Sequence, residues 1–181
     1  MNKTATGLDG VFILEPRMFQ DNRGYFMESY NQRAMKELGF DFDFIQDNQS
    51  LSRETGVIRG LHYQLSKSAQ TKLVRCLKGA IFDVAVDIRK NSPTFGKWVG
   101  VELTAQNQKQ LLVPKGFAHG FCTLEPDTVV AYKVDAFYSP AHDRGIRFDD
   151  PVIGIDWPVK TPVLSDKDGR LPFLATAEND F

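Results

Sequence analysis

Short apolar runs, each closed by a glycine- or proline-containing turn, recur along most of this chain, and that rhythm constrains the fold more than any other feature. Strand-like stretches fall over residues 11–14, 24–30, 42–45, 57–64, 72–77, 81–88, 98–103, 110–113, 119–124 and 129–134. Turn signals separate many of them, among them Lys78-Gly79, Asn91-Ser92-Pro93, Pro114-Lys115-Gly116 and Glu125-Pro126-Asp127. Many short strands with turns of this chemistry predict an all-β sandwich or barrel. Helical spacing is clearest over 31–39, where Asn31 can cap, Ala34, Met35 and Leu38 share a side, and Gly39 can end the element. Over 81–88 the alternation is regular: Phe82, Val84, Val86 and Ile88 face one way, and Ile81, Asp83, Ala85 and Asp87 the other. Two acids on that second face imply either water or a polar barrel interior. Beyond about residue 139 proline, aspartate and glycine rise and the periodicity fades. This tail reads as an extension packed on the barrel, which leaves one domain over 1–181.

Composition narrows the partners. With 22 basic against 23 acidic residues the net charge is −1, so the chain lacks the basic surplus of a general nucleic-acid binder, while a local pocket for one small anion stays open. The 14 phenylalanines can fill a sizeable core. Cys76 and Cys122 sit in apolar strand-like runs and read as buried free thiols. No signal-peptide pattern opens the sequence, and no apolar run approaches the ~18 residues of a membrane span, so a cytoplasmic location is expected.

There are three histidines, His62, His119 and His142. His62 follows Arg59-Gly60-Leu61, and strict alternation would put Arg59 and His62 on opposite faces unless Gly60 hosts a bulge. His119 closes the spacing Pro114-x-Gly116-x-x-His119, in which a tight turn launches a strand that points the imidazole inward. The same spacing occurs in the second half of cupin barrels, where the histidine often ligates metal. A metal site would need a second ligand beside His62, but Tyr63 and Gln64 stand there, so no metal is expected. His62 is then a free imidazole with an ordinary pKa of ~6.5, suited to general-base work. Tyr132 lies in a strand from which a phenol can project inward as a proton donor, or sit as a satisfied core aromatic. Lys72 can steady an enolate oxygen, or be a solvated lysine at a strand start.

Taken in order, a set of segments resembles the dTDP-4-dehydrorhamnose 3,5-epimerase family. They are Phe19-Gln20-Asp21-Asn22-Arg23-Gly24-Tyr25-Phe26-Met27-Glu28, Gln46-Asp47-Asn48-Gln49-Ser50, Arg59-Gly60-Leu61-His62-Tyr63-Gln64, Thr71-Lys72-Leu73-Val74-Arg75, Asp83-Val84-Ala85-Val86-Asp87, Ser92-Pro93-Thr94-Phe95-Gly96, Pro114-Lys115-Gly116-Phe117-Ala118-His119-Gly120-Phe121, Tyr132-Lys133, Tyr138-Ser139-Pro140 and Gly154-Ile155-Asp156-Trp157-Pro158. The resemblance implies a cupin-type double-stranded β-helix, a jelly-roll barrel with a few short helices. It implies conversion of dTDP-4-keto-6-deoxy-D-glucose to dTDP-4-keto-L-rhamnose by proton transfer at carbons 3 and 5. His62 would be the base with Asp168 as its partner, Tyr132 the acid, and Lys72 the group that stabilises the enolate. Asp83 would support His119. Gln46, Asp47, Asn48, Arg59, His119, Asp143 and Lys167 would contact substrate, and Tyr138 would stack on thymine. Arg23, Phe26 and Glu28 would reach the nucleotide from a neighbouring subunit of a homodimer with exchanged N-terminal strands. Asp143 stands where many members have glutamate, so its reach to the nucleotide is shorter. No cofactor is implied: no hydride moves, and no glycine-rich dinucleotide fingerprint occurs. A single 3- or 5-epimerase is the near alternative, and a metal-dependent cupin isomerase the distant one.

Overall fold

The computed structural model describes residues 1–181. Its strands are β1 (Asn2–Ala5), β2 (Phe12–Glu15), β3 (Met18–Asp21), β4 (Gly24–Met27), β5 (Gln46–Ser52), β6 (Ile58–Gln64), β7 (Lys72–Lys78), β8 (Ala80–Asp87), β9 (Trp98–Thr104), β10 (Gln110–Val113), β11 (Phe117–Thr123), β12 (Thr128–Val134) and β13 (Asp143–Gly145). One α-helix, α1 (Gln32–Glu37), separates β4 from β5, and the Asn31 side chain caps it by accepting the Ala34 N–H. A six-stranded sheet in the order β1-β2-β10-β7-β12-β5 faces a five-stranded sheet in the order β13-β6-β11-β8-β9. β3 and β4 form a separate two-stranded hairpin. This is an all-β jelly roll.

The hydrophobic residues form three clusters that follow the layers. Val74, Leu111 and Val130 of the six-stranded sheet meet Ile81, Ala85, Leu103, Phe117 and Phe121 of the five-stranded sheet between the two. The outer face of the five-stranded sheet, with Leu61, Val84, Val86 and Ala118, is covered by Ile146, Ile153 and Leu174 of the C-terminal tail. Leu14, Leu73 and Leu112 on the outer face of the six-stranded sheet pack against Met35 of α1 and Phe40. Each such fully buried side chain stabilises by roughly 1.5–3 kcal/mol. The alternation of β8 therefore serves two cores. Val84 and Val86 face the tail, Ile81 and Ala85 face the barrel interior, and Asp83 and Asp87 share that interior face with 0% exposure.

Several elements depart from the sequence expectation, and β3 and β13 fall outside every strand-like stretch named above. β1 is polar and exposed and is held as an edge by backbone pairing to β2. Residues 42–45 form no strand; Phe42 and Phe44 instead join the ring cluster beside Phe40 and Tyr30. The strand begins afterwards, as β5, whose Gln-Asp-Asn-Gln-Ser run has no apolar face for periodicity to reveal. Cys76 and Cys122 are buried and free. No helix is long and apolar enough to cross a membrane.

Candidate active site

A β-bulge builds the site. His119 pairs with His62 while Phe121 pairs with Arg59, so β6 carries one residue more than β11 over this stretch. Gly60 sits in the bulge with φ +127°, and a Cβ there would lie 2.5 Å from Gly120 Cα and 2.7 Å from the His119 carbonyl oxygen. Only glycine fits. The extra residue turns Arg59 and His62 toward one cavity of about 340 Å³ between the sheets. β5 supplies Gln46, Asn48 and Ser50 to its wall, β7 Lys72, β11 His119 and Phe121, β12 Tyr132, and β13 Asp143. Tyr138, Ser165, Lys167 and Asp168 come from the tail.

Two histidine–carboxylate pairs line it. His62 Nε2 lies 2.6 Å from Asp168 Oδ1, and His119 Nε2 lies 2.8 Å from Asp83 Oδ1. Burial alone would raise the Asp168 pKa, but the His62 hydrogen bond and charge, the Ser165 hydroxyl and the Gly60 backbone together hold it below the usual carboxylate value. An ionised Asp168 only accepts hydrogen bonds, so the His62 proton resides on Nε2 and the lone pair on Nδ1. Lys72 Nζ donates to the His62 carbonyl oxygen at 3.2 Å. Burial pushes the Lys72 pKa down to about 8, against the opposing pull of Asp83 and Asp143. Burial raises the Tyr132 pKa, the Arg59 charge opposes that and Asp143 adds to it, so the phenol stays protonated. Arg59 is steadied by Ser52 Oγ and the Leu51 carbonyl oxygen, each at 3.1 Å. At the cavity mouth Asp143 Oδ2 accepts from Tyr138 Oη at 3.1 Å and from Lys167 Nζ at 2.5 Å.

Most residues singled out in the sequence therefore meet in one cavity: Gln46, Asn48, Arg59, His62, Lys72, His119, Tyr132, Tyr138, Asp143, Lys167 and Asp168, with Asp83 beneath His119. Four do not line it. Asp47 points from the opposite face of β5 and pairs with Lys133 Nζ at 2.8 Å. Arg23 and Phe26 lie at the β3–β4 hairpin and Glu28 just after it, away from the cavity of their own chain. Ser50, Tyr63, Gln64, Gln70, Phe121 and Ser165 also line the cavity and are not among the residues expected there. Ser50 alternates with Gln46 and Asn48 along β5, a signal that becomes legible once that strand is recognised.

An imidazole held by a carboxylate, a protonated phenol and a buried ammonium in one jelly-roll cavity have the chemistry of an isomerase that works by proton transfer. The chain belongs to the dTDP-4-dehydrorhamnose 3,5-epimerase family, whose model matches residues 5–176. It is 56% identical over 169 residues to the dTDP-4-dehydrorhamnose 3,5-epimerase of Shigella flexneri, covering 93% of each chain. Its structure superposes with a TM-score of 0.93 on the enzyme of that name from Bacillus anthracis, solved with TDP and pyrophosphate, at 54% identity over 95% of this chain and 98% of that one. The score is again 0.93 against the 3,5-epimerase of Legionella pneumophila in complex with dTDP-4-keto-L-rhamnose, at 47% identity over 97% and 93%.

Proposed function

We infer that this chain is a dTDP-4-dehydrorhamnose 3,5-epimerase, converting dTDP-4-keto-6-deoxy-D-glucose to dTDP-4-keto-L-rhamnose, and that His62, Asp168, Tyr132 and Lys72 carry the chemistry. The observation that carries this reading is that His62 and Tyr132 enter one cavity from opposing sheets, β6 and β12. A sugar ring between them meets a base on one face and an acid on the other, which is what inversion requires.

The 4-keto group acidifies the hydrogens on carbons 3 and 5. His62 Nδ1 takes one proton, and the electron pair of the broken C–H bond moves into an enolate whose negative charge rests on the C4 oxygen. Lys72, cationic below about pH 8, stabilises that oxygen. Tyr132 returns a proton to the opposite face of the same carbon, and exchange with water resets both groups. Asp168 fixes the His62 tautomer and orientation. Only protons move, so the reaction requires no nicotinamide. Arg59 and Lys167 supply positive charge for the diphosphate, and Tyr138 supplies a stacking face for thymine.

The working unit in this reading is a homodimer. The β3–β4 hairpin pairs with neither main sheet and displays Phe19, Tyr25 and Phe26, the last 67% exposed. A groove of about 290 Å³ opens on the outer face of the six-stranded sheet, lined by Asp47, Gln49, Arg75, Leu77 and Gln110 among others. A second copy seated against that face carries its Arg23, Phe26 and Glu28 to this chain's nucleotide site. The two free thiols fit a reducing, cytoplasmic setting. The function is tested by coupling the reaction to a 4-keto reductase and reading the product configuration: dTDP-L-rhamnose is expected, and a product inverted at one carbon or at neither contradicts the reading.

A further inference from the structure

Gln64 ends β6 at the edge of the cavity, 4% exposed, with its amide spent on backbone rather than turned to a ligand. Nε2 donates to the Ser68 carbonyl oxygen at 2.6 Å and to the Phe137 carbonyl oxygen at 3.2 Å, and Oε1 accepts the Ser139 N–H at 2.6 Å. Phe137 and Ser139 are the neighbours of Tyr138 on either side, so one buried amide grips the peptide groups that flank this tyrosine. Tyr138 itself is 55% exposed. An exposed ring on a loop ordinarily pays an ordering cost when a ligand settles on it. Here the cost is met beforehand: Gln46 Oε1 accepts the Tyr138 N–H at 3.2 Å, and His142 Nδ1 sits 2.8 Å from Ser139 Oγ and 3.0 Å from Ser68 Oγ on the far side of the same loop. Only an amide of this length offers both donor and acceptor to these three backbone groups. Glutamate lacks the donor, and an apolar residue lacks both.

We propose that Gln64 is a positioning residue for nucleotide recognition: its amide holds the loop that presents Tyr138 so that the ring stands ready to receive the base, and it sets affinity without touching the reacting carbons. This rests on the reading of Tyr138 as the platform for the base. His142, the histidine that the proton chemistry does not use, is the outer half of the same clamp.

The test is calorimetric binding of thymidine diphosphate to the wild type, Gln64→Met, His142→Ala, Tyr138→Ala and the Gln64→Met/Tyr138→Ala double variant, with KM and kcat measured alongside. Gln64→Met keeps the volume and loses the hydrogen bonds, and should raise Kd and KM by about five- to tenfold while kcat stays within about twofold. In the Tyr138→Ala background the same change should have no further effect, because Gln64 acts through that ring. Where Gln64→Met does not fold, His142→Ala loosens Ser139 and Ser68 from outside and should show the same KM-only loss. If Tyr138→Ala weakens binding while Gln64→Met and His142→Ala bind as wild type, the positioning role is overturned and the platform stands. An equal further loss in the Tyr138→Ala background, or a fall in kcat with KM unchanged, also overturns it. Unchanged binding by Tyr138→Ala removes the platform and the proposal together.

Discussion

His62 and Asp168 stand 106 positions apart in the chain and 2.6 Å apart in the fold, and the proposed chemistry turns on that pair. Removing the imidazole by His62→Ala should slow solvent exchange at both sugar carbons by ~100- to 10,000-fold and leave thymidine diphosphate affinity within a few-fold, measured by NMR and calorimetry. Tyr132→Phe should retain proton abstraction and lose epimerised product, because the acid and not the base is gone. Lys72 adds a pH signature. Its charge is present below about pH 8 and lost above, so kcat/KM should fall on an alkaline limb near 8, and Lys72→Arg, charged throughout, should lack that limb. One carboxylate oxygen of Asp143 serves both Tyr138 and Lys167. His62, His119, Tyr132 and Lys72, which share the cavity, stand out in the sequence because imidazole, phenol and ammonium are unusual inside strands. Asp168 was legible only through the family's pattern, since nothing in its own irregular segment announces a partner so distant in sequence.

At the scale of elements, the bulge in β6 does what strict alternation forbids, and Gly60 was readable in advance as the position that permits it. Gly60→Ala should destabilise the fold and lower kcat together, because a Cβ would meet the Gly120 and His119 backbones and push β6 off β11; wild-type kcat and denaturation midpoint in that variant would contradict this role. The turn after β8 gives an electrostatic prediction. Asp87 is buried, and the desolvation that would raise its pKa is outweighed by hydrogen bonds from Arg89, Ser92 and Thr94, which bring it down from 3.8 to about 2. A depressed folded-state pKa stabilises above the unfolded value, and that contribution is lost as pH falls from 3.8 through 2. Asp87→Asn should therefore cost about 2 kcal/mol at pH 7, with the gap to wild type narrowing below pH 3.8 in chemical denaturation. β8 itself was legible from alternation because each of its faces meets a core. β5 was not, because its inward residues Gln46, Asn48 and Ser50 are polar and line the cavity, while the apolar signal lies in the aromatic run just before it.

For the whole molecule, the barrel follows from many short strands that must bury one face each, and the C-terminal tail supplies the second cover for the five-stranded sheet. The exposed aromatics of the β3–β4 hairpin are the surface that the proposed homodimer would cover. Phe26→Asp should shift the protein toward monomer in light scattering and raise KM, while a dimer of unchanged KM would separate the hairpin from the nucleotide site. The central claim is that one cavity, with His62 and Tyr132 on opposing walls, exchanges and inverts both carbons. It is tested most directly by incubating the protein with dTDP-4-keto-6-deoxy-D-glucose in deuterated water and counting deuterium at carbons 3 and 5 by NMR. Deuterium at both carbons is the result predicted; deuterium at one carbon only, or at neither in folded protein, would contradict it.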